Sequence, residues 1–447
     1  MTVSRDPCAR RRWALGWETS VTEEERVRTG HLARMGSIFF LLLAVVACSS
    51  SVISIPTAGP SSAGLASPTP RPILSPTESP TASPTASPSP IPSPRPMAPA
   101  TIRPGPAMTT ARWGQVAVRL KDGRVLIMGG TVPFVGKCPM ACIEPPTASV
   151  EIYDPRTGKF SPNGSLAVPL TDGEALLLND GRVLVAGDPG GYGGALNTIE
   201  IYDTAKGSSV VVKPTAGMQE LPTNTAVVLL ADGRVLIAGG SYDSGITSSN
   251  VTLIFDPVSG GFSNGPLMAR PRQGATATLL EDGRVLIVGG ADGYNGDAQN
   301  LAELIDLSHH LSQSTWPVSP GSSTSTLLSD GRVLVAGGGA EVSEVFDPRT
   351  ERFTVVGPMI TSRTGSAAIK IQDGRVLLLG GVDSNHAAIG TVEAFDPDSG
   401  TFQVISTAFP KITDFSATLL DDGEILIAGG WNEDGNEMTS ASWFLKP

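Results

Sequence analysis

The chain has 447 residues and a net charge of −11, from 32 Lys and Arg against 43 Asp and Glu. That balance argues against a nucleic-acid partner, whose phosphates demand a basic face. Four Cys are too few for a disulfide scaffold, and 51 Gly with 5% aromatic residues suit thin strands and tight turns rather than a helical core.

The first feature along the chain is SIFFLLLAVVAC (37–48). An uncharged run from Ile38 to Ala47 follows Arg26, Arg28 and Arg34, the pattern of a secretory signal. Its end, Val45-Val46-Ala47-Cys48, resembles a bacterial lipobox, which implies lipidation of Cys48. Residues 1–48 are therefore expected to be an export segment. An uncleaved membrane anchor is the alternative, but a spanning helix needs about 20 apolar residues. The run nears that length only by passing through Cys48 and three serines. Both readings place the rest of the chain outside the cytoplasmic membrane.

Residues 49–100 read as a Pro/Ser/Thr-rich disordered linker. Between 49 and 106 there are sixteen Pro and no aromatic residue, so this stretch has too little apolar surface to fold. Proline favours extended polyproline II, which makes the segment a semi-rigid spacer.

From 101 to 447 the chain repeats itself. DGRVL starts at Asp122, Asp180, Asp232, Asp282, Asp330 and Asp373, and a degenerate copy, DGEIL, starts at Asp422. A period near fifty residues in an all-β pattern predicts propeller blades. In each repeat a small-apolar first strand is expected to turn at Asp-Gly through a two-residue hairpin loop. The second strand, as in RVLIVGG (284–290), is a near-continuous apolar run suited to a sheet covered on both faces. A variable loop follows, then a third strand with Tyr or Phe, an Asp-Pro turn and a fourth strand that opens on an aromatic. Four repeats space these two rings seven apart: Tyr153/Phe160, Phe255/Phe262, Phe346/Phe353 and Phe395/Phe402; another is expected to use Trp316. The last repeat lacks a fourth strand. ATIRPGPAM (100–108) looks like the fourth-strand endings at 262–268 and 353–359, so it is expected to complete the last blade and close the ring. The fold expected is all-β, a seven-bladed β-propeller of four-stranded antiparallel blades.

The double Gly, the third- and fourth-strand aromatics and the period together resemble the Kelch repeat family, seen also in the central domain of galactose oxidase. The resemblance covers roughly 101–447. It implies a propeller whose ligands sit on one face, around the central channel. A galactose-oxidase copper site needs Tyr and His ligands, partly from a domain after the propeller. This chain is expected to supply neither: His31 precedes the fold, His309 and His310 fall at a turn on the opposite face, and only His386 is well placed. No cofactor and no metal site are expected.

Candidate site residues come from the variable loops and from the approach to the first strands. Tyr192, Tyr242, Tyr294, Asn295, His386 and Trp431 could hold a sugar by stacking and hydrogen bonding, although Asn and Asp in loops also serve ordinary turn chemistry. Arg112, Arg272 and Arg363 each lie ten residues before the Asp of a turn. Three guanidinium groups at a channel mouth would grip carboxylate or phosphate; packing against local acids is the competing reading. The repeated arginines after the turns (Arg124, Arg182, Arg234, Arg284, Arg332, Arg375) read as ion-pair partners within or between blades. Cys138 and Cys142, in CPMAC, are expected to form a local disulfide outside the cytoplasm. The functional expectation is a membrane-tethered, extracytoplasmic, monomeric binding propeller for a glycan or protein. A sugar epimerase or mutarotase is the alternative.

Overall fold

Each repeat begins with a strand that runs into its Asp-Gly turn, and the fold follows from that unit. The structure is a computed structural model that describes residues 95–447 except 137–143, 190–197, 215–220, 243–246, 294–300 and 318–322. Cys48, Cys138, Cys142, Tyr192, Tyr294 and Asn295 therefore lie outside the described residues. The described residues form an all-β propeller-like fold of small antiparallel sheets.

In the fourth repeat, strands Gln273–Leu279, Val285–Ala291, Leu301–Asp306 and Leu311–Pro317 pair in chain order. Repeats three, five and six build the same four-stranded meander. The first two repeats share one seven-stranded sheet. There a single strand, Lys159–Leu177, serves as the outer strand of one repeat and the inner strand of the next. In the last sheet the N-terminal strand Thr101–Pro104 pairs with Ser442–Lys446, with Thr101 opposite Lys446. The two chain ends thus complete one sheet, as the resemblance of 100–108 to fourth-strand endings predicts.

The first strands touch one another in cyclic order. Val116–Arg119 meets Lys159–Leu177, then come Ala226–Leu229, Gln273–Leu279, Ser323–Leu327, Ala367–Lys370 and Ser416–Leu419, which touches Val116–Arg119 again. The second strands form the core. Val125–Met128 and Val376–Leu379 are wholly buried because neighbouring sheets cover both faces, which is why their sequences carry no polar alternation. The predicted ring pairs stand directly opposite each other across strands three and four, with centroids 4.9–5.1 Å apart. Trp316 does not take this position: Ser312 stands opposite Ile305 in that repeat, and Trp316 falls four residues further along.

The Asp-Gly turn differs from the expected two-residue loop. Gly123 N–H donates to Leu120 O (3.1 Å) and Leu120 N–H to Arg124 O (2.8 Å), so the loop is Lys121-Asp122-Gly123. Only the Gly takes a positive φ, +85°. This is the three-residue hairpin in which a left-handed Gly follows an ordinary turn. The Asp closes the turn from its side chain. Its carboxylate accepts the backbone N–H of Arg124 (3.1 Å) and Arg124 Nε (2.8 Å). The same clasp recurs at Asp180, Asp232, Asp282, Asp330 and Asp373. Three of these arginines also reach the next repeat's Asp-Pro turn, with Arg182, Arg284 and Arg332 donating to Pro257 O, Pro348 O and Pro397 O. The recurring motif is therefore a turn lock and, in places, a stitch between repeats.

The seventh copy, Asp422-Gly423-Glu424, replaces Arg by Glu. Its partner comes from the N-terminal strand: Arg103 lies 2.6 Å from Glu424 and stacks 4.2 Å over the Phe444 ring. Upstream, Arg95 holds Asp396 through its backbone N–H (3.1 Å) and its guanidinium (3.2 Å).

Candidate functional site

Arg112, Arg272 and Arg363 do not line a channel mouth. All three are fully buried. Each pairs with a buried Glu from the third strand of its own repeat: Arg112 with Glu151 (2.8 Å), Arg272 with Glu303 (2.6 Å) and Arg363 with Glu393. The same guanidinium donates to the carbonyl of the first Gly of the double Gly, at Gly129, Gly289 and Gly380 (2.8–3.0 Å). The Glu carboxylates also accept backbone N–H groups, those of Thr109 and Thr110 for Glu151. Desolvation pushes all three guanidinium groups below their ordinary value, opposed by the Glu beside them. In this structure their terminal nitrogens serve the protein itself, while the buried Nε of Arg112 and of Arg272 has no partner; the packing-and-pairing reading describes the three pairs. Their backbones work too: Gly430 N–H donates to Arg112 O and Gly240 N–H to Arg272 O, tying each repeat to the one before. A Cβ on Gly240 would sit 2.5 Å from Thr223 O, which explains the second Gly.

Two residues further along each repeat lies a feature that motif and spacing did not reveal. Gly114, Asp172, Asn224, Gly274, Gly365 and Asp414 each stand eight residues before the Asp of their turn, and all have φ between +48° and +67°. The backbones of neighbours in this set join: Gly114 N–H donates to Asp414 O, Asp172 N–H to Gly114 O and Gly274 N–H to Asn224 O, each at 2.9 Å. These six positions hold only Gly, Asn or Asp, the types that tolerate a left-handed backbone, while the fifth repeat carries Ser322 there, outside the described residues. That restriction was the available signal.

Inside this belt is a cavity of about 260 Å³. Its polar lining includes Asp172, Glu174, Asn224, Thr276, Ser323 and Ser366, drawn from repeats two to six. The hydroxyls of Thr276 and Ser323 are buried without hydrogen-bond partners, and Ser323 is 5% exposed. Buried polar groups are normally satisfied, so two such orphans in one cavity wall invite a ligand or water. Glu174 is the other residue that the sequence did not single out. It opens DGEALLL where the other described repeats carry Val116, Ala226, Thr276, Thr324, Ala367 and Ser416 at the same position. One carboxyl interrupting a set of small and apolar side chains is the sequence signal. Burial pushes its carboxyl up to about 7, opposed only by the backbone N–H of Val227.

The variable loops start beside this cavity. Residues following the double Gly pair with those just before the belt: Ser241 with Thr223, Val382 with Thr364 and Trp431 with Thr413. Tyr242 and Trp431 are half-buried in short ladders, opposite Thr247 and Met438. His386 has φ +62° in a tight turn closed by Asp383, whose carboxylate accepts Ala387 N–H and Asn385 N–H and is held below the ordinary range by them. None of these three lines the cavity.

Fold and site together define an all-β, propeller-like protein with a polar cavity among its innermost strands. No known family and no curated protein matches the chain. Among solved structures, it is similar to a fungal alcohol oxidase of the AA5 family in complex with copper, with a TM-score of 0.59 and 16% identity over 78% of this chain and 76% of that one. It is also similar to YjhT, with a TM-score of 0.50 and 12% identity over 67% of this chain and 99% of that one. These likenesses are of fold. Among the described residues no group of three or more His, Cys, Asp or Glu could hold a metal ion.

Proposed function

We propose that the protein is a membrane-tethered, extracytoplasmic binding propeller that takes a glycan in the cavity at its variable-loop end. The unpartnered hydroxyls of Thr276 and Ser323, beside Asn224 and Glu174, carry this reading. Sugars offer donors and acceptors in the same density, and a wall of fixed hydroxyls is completed by them. The loops bearing Tyr242, His386 and Trp431 supply the rim against which a longer chain would lie. The lipid on Cys48 and the Pro-rich linker hold the propeller off the membrane as a monomer. Mass spectrometry of the mature N-terminus should find modified Cys48; an intact upstream segment refutes the lipid.

A carbohydrate-active enzyme is the second reading, favoured by Glu174. A carboxyl with a pKa of about 7 is poised to give and take a proton at neutral pH. One of the two structural neighbours is an alcohol oxidase. A glycan array with the full-length protein separates the outcomes. Hits lost on Ser323→Val and retained on Arg234→Ala support the cavity. An array without hits, together with a protein captured from cell envelope, supports a protein ligand instead. Anomer or epimer turnover followed by NMR, abolished by Glu174→Gln, moves the function to catalysis.

A further inference from the structure

We infer that the cavity selects an amine-bearing polyhydroxy ligand, of the amino-sugar class, with its ammonium group seated against Glu174. This rests on the reading of the cavity as a sugar site and names what that site prefers. Among the described residues the lining carries two acidic side chains, Asp172 and Glu174, and no Arg, Lys or His. Ser323, nine-tenths buried and without a partner, stands in the same wall. An anionic sugar would place its charge against the Glu174 carboxyl. A neutral sugar would satisfy the hydroxyls but leave Glu174 a protonated acid. An ammonium supplies the positive charge that the lining lacks, and its N–H groups donate charge-assisted hydrogen bonds to the carboxylate. The ring hydroxyls then exchange hydrogen bonds with Thr276, Ser323 and Ser366.

Proton release is a second signature of such a ligand. Of the groups facing Glu174, no charged side chain contributes to its shift; the Val227 N–H is the one opposing influence. Below about pH 7 the free cavity therefore holds a protonated Glu174. Seating an ammonium, which keeps its own protons, expels the Glu174 proton to solvent. Affinity rises with pH up to about 7 and falls again where the amine itself gives up its proton, near about 8 as for an α-amino group.

Calorimetry on the full-length protein tests this with glucosamine, glucose and glucuronate at about pH 6.5, just below the Glu174 value, in two buffers of different ionisation heat. Glucosamine should bind at least about tenfold more tightly than glucose, with net proton release, and glucuronate should bind weakest. Glu174→Gln should bring glucosamine to the level of glucose and abolish the proton release. Equal wild-type affinities for glucosamine and glucose, or a preference for glucuronate, would overturn the amine selectivity while leaving the sugar site standing. Failure of all three to bind would overturn both.

Discussion

Two sets of arginines run through the repeats, and the same side chain does different work in each. Arg124, Arg182, Arg234, Arg284, Arg332 and Arg375 clasp the Asp two residues before them in their turns, where water reaches both partners. Arg112, Arg272 and Arg363 sit against Glu151, Glu303 and Glu393 where water reaches neither. Ion pairs in water contribute little, because solvent screens them and side-chain ordering offsets the gain. A buried pair holds geometry only while both partners remain, since either one alone is an uncompensated charge in a poor solvent.

The repeats illustrate the rule within one chain. At the buried Arg and Glu positions, the third repeat carries Pro222 and Leu253, and the seventh carries Ile412 and Trp443. Both charges are replaced there together. The second and fifth repeats keep the Glu, as Glu200 and Glu344, with Leu170 and Pro320 at the Arg position; the Glu200 carboxylate is satisfied by Ala167 N–H, Val168 N–H (both 2.9 Å) and Ser209 Oγ.

The largest effect is expected for Arg272→Met, which leaves Glu303 buried and unpaired. Chemical denaturation should show a loss of about 3–5 kcal/mol. Adding Glu303→Leu should restore most of it, as the third repeat's natural pairing suggests; a double variant as unstable as the single one would erase the distinction between buried and exposed pairs.

Next in size is Glu174→Gln, an intermediate case of a half-buried acid without a counter-charge. Its folded pKa is raised from 4.5 to about 7. The folded state therefore holds the proton more tightly, and the associated stability is complete below 4.5 and lost as pH rises through 7. The Gln variant should match the wild type at about pH 4 and exceed it by about 2 kcal/mol at about pH 8, a figure reduced because water still reaches the side chain. An identical advantage at both pH values would exclude titration as the cause.

Smaller again is the charge-swapped turn, where Arg103 is more than half exposed and Glu424 mostly covered. A double-mutant cycle on Arg103→Met and Glu424→Gln should return a coupling of about 0.5–1 kcal/mol, weakened by salt. The smallest effect is expected for Arg234→Ala, whose ion pair lies within its own turn. Stability should change by no more than about 0.5 kcal/mol, and a larger loss would show that these turn locks act across repeats.

Much of the fold was legible because it is written in local terms and repeated. The places of the Asp-Gly turns, though not their three-residue loops, the apolar second strands, the facing rings and the strand shared between chain ends could be read from spacing and period. The double Gly marked close backbone approach, and the structure supplies the atoms that approach. The buried arginines were legible in spacing but not in depth, because a residue ten positions before a turn says nothing about which sheet folds over it. Ring chemistry alone pointed to Trp316, and its register put it elsewhere. Glu174 carries no motif and lies on a strand, beneath the loops where chemistry usually collects.

The repeating unit, its turn chemistry and the joining of its ends are set by sequence alone, since each depends on residues that are near in the chain or that recur at a fixed period. Depth and company came only with the folded chain. Folding brought Asp172, Asn224, Thr276, Ser323 and Ser366 from five repeats around one carboxyl, and it buried three arginines against glutamates of their own repeats. Burial and desolvation depend on what every other strand does, and that is not encoded at any one position.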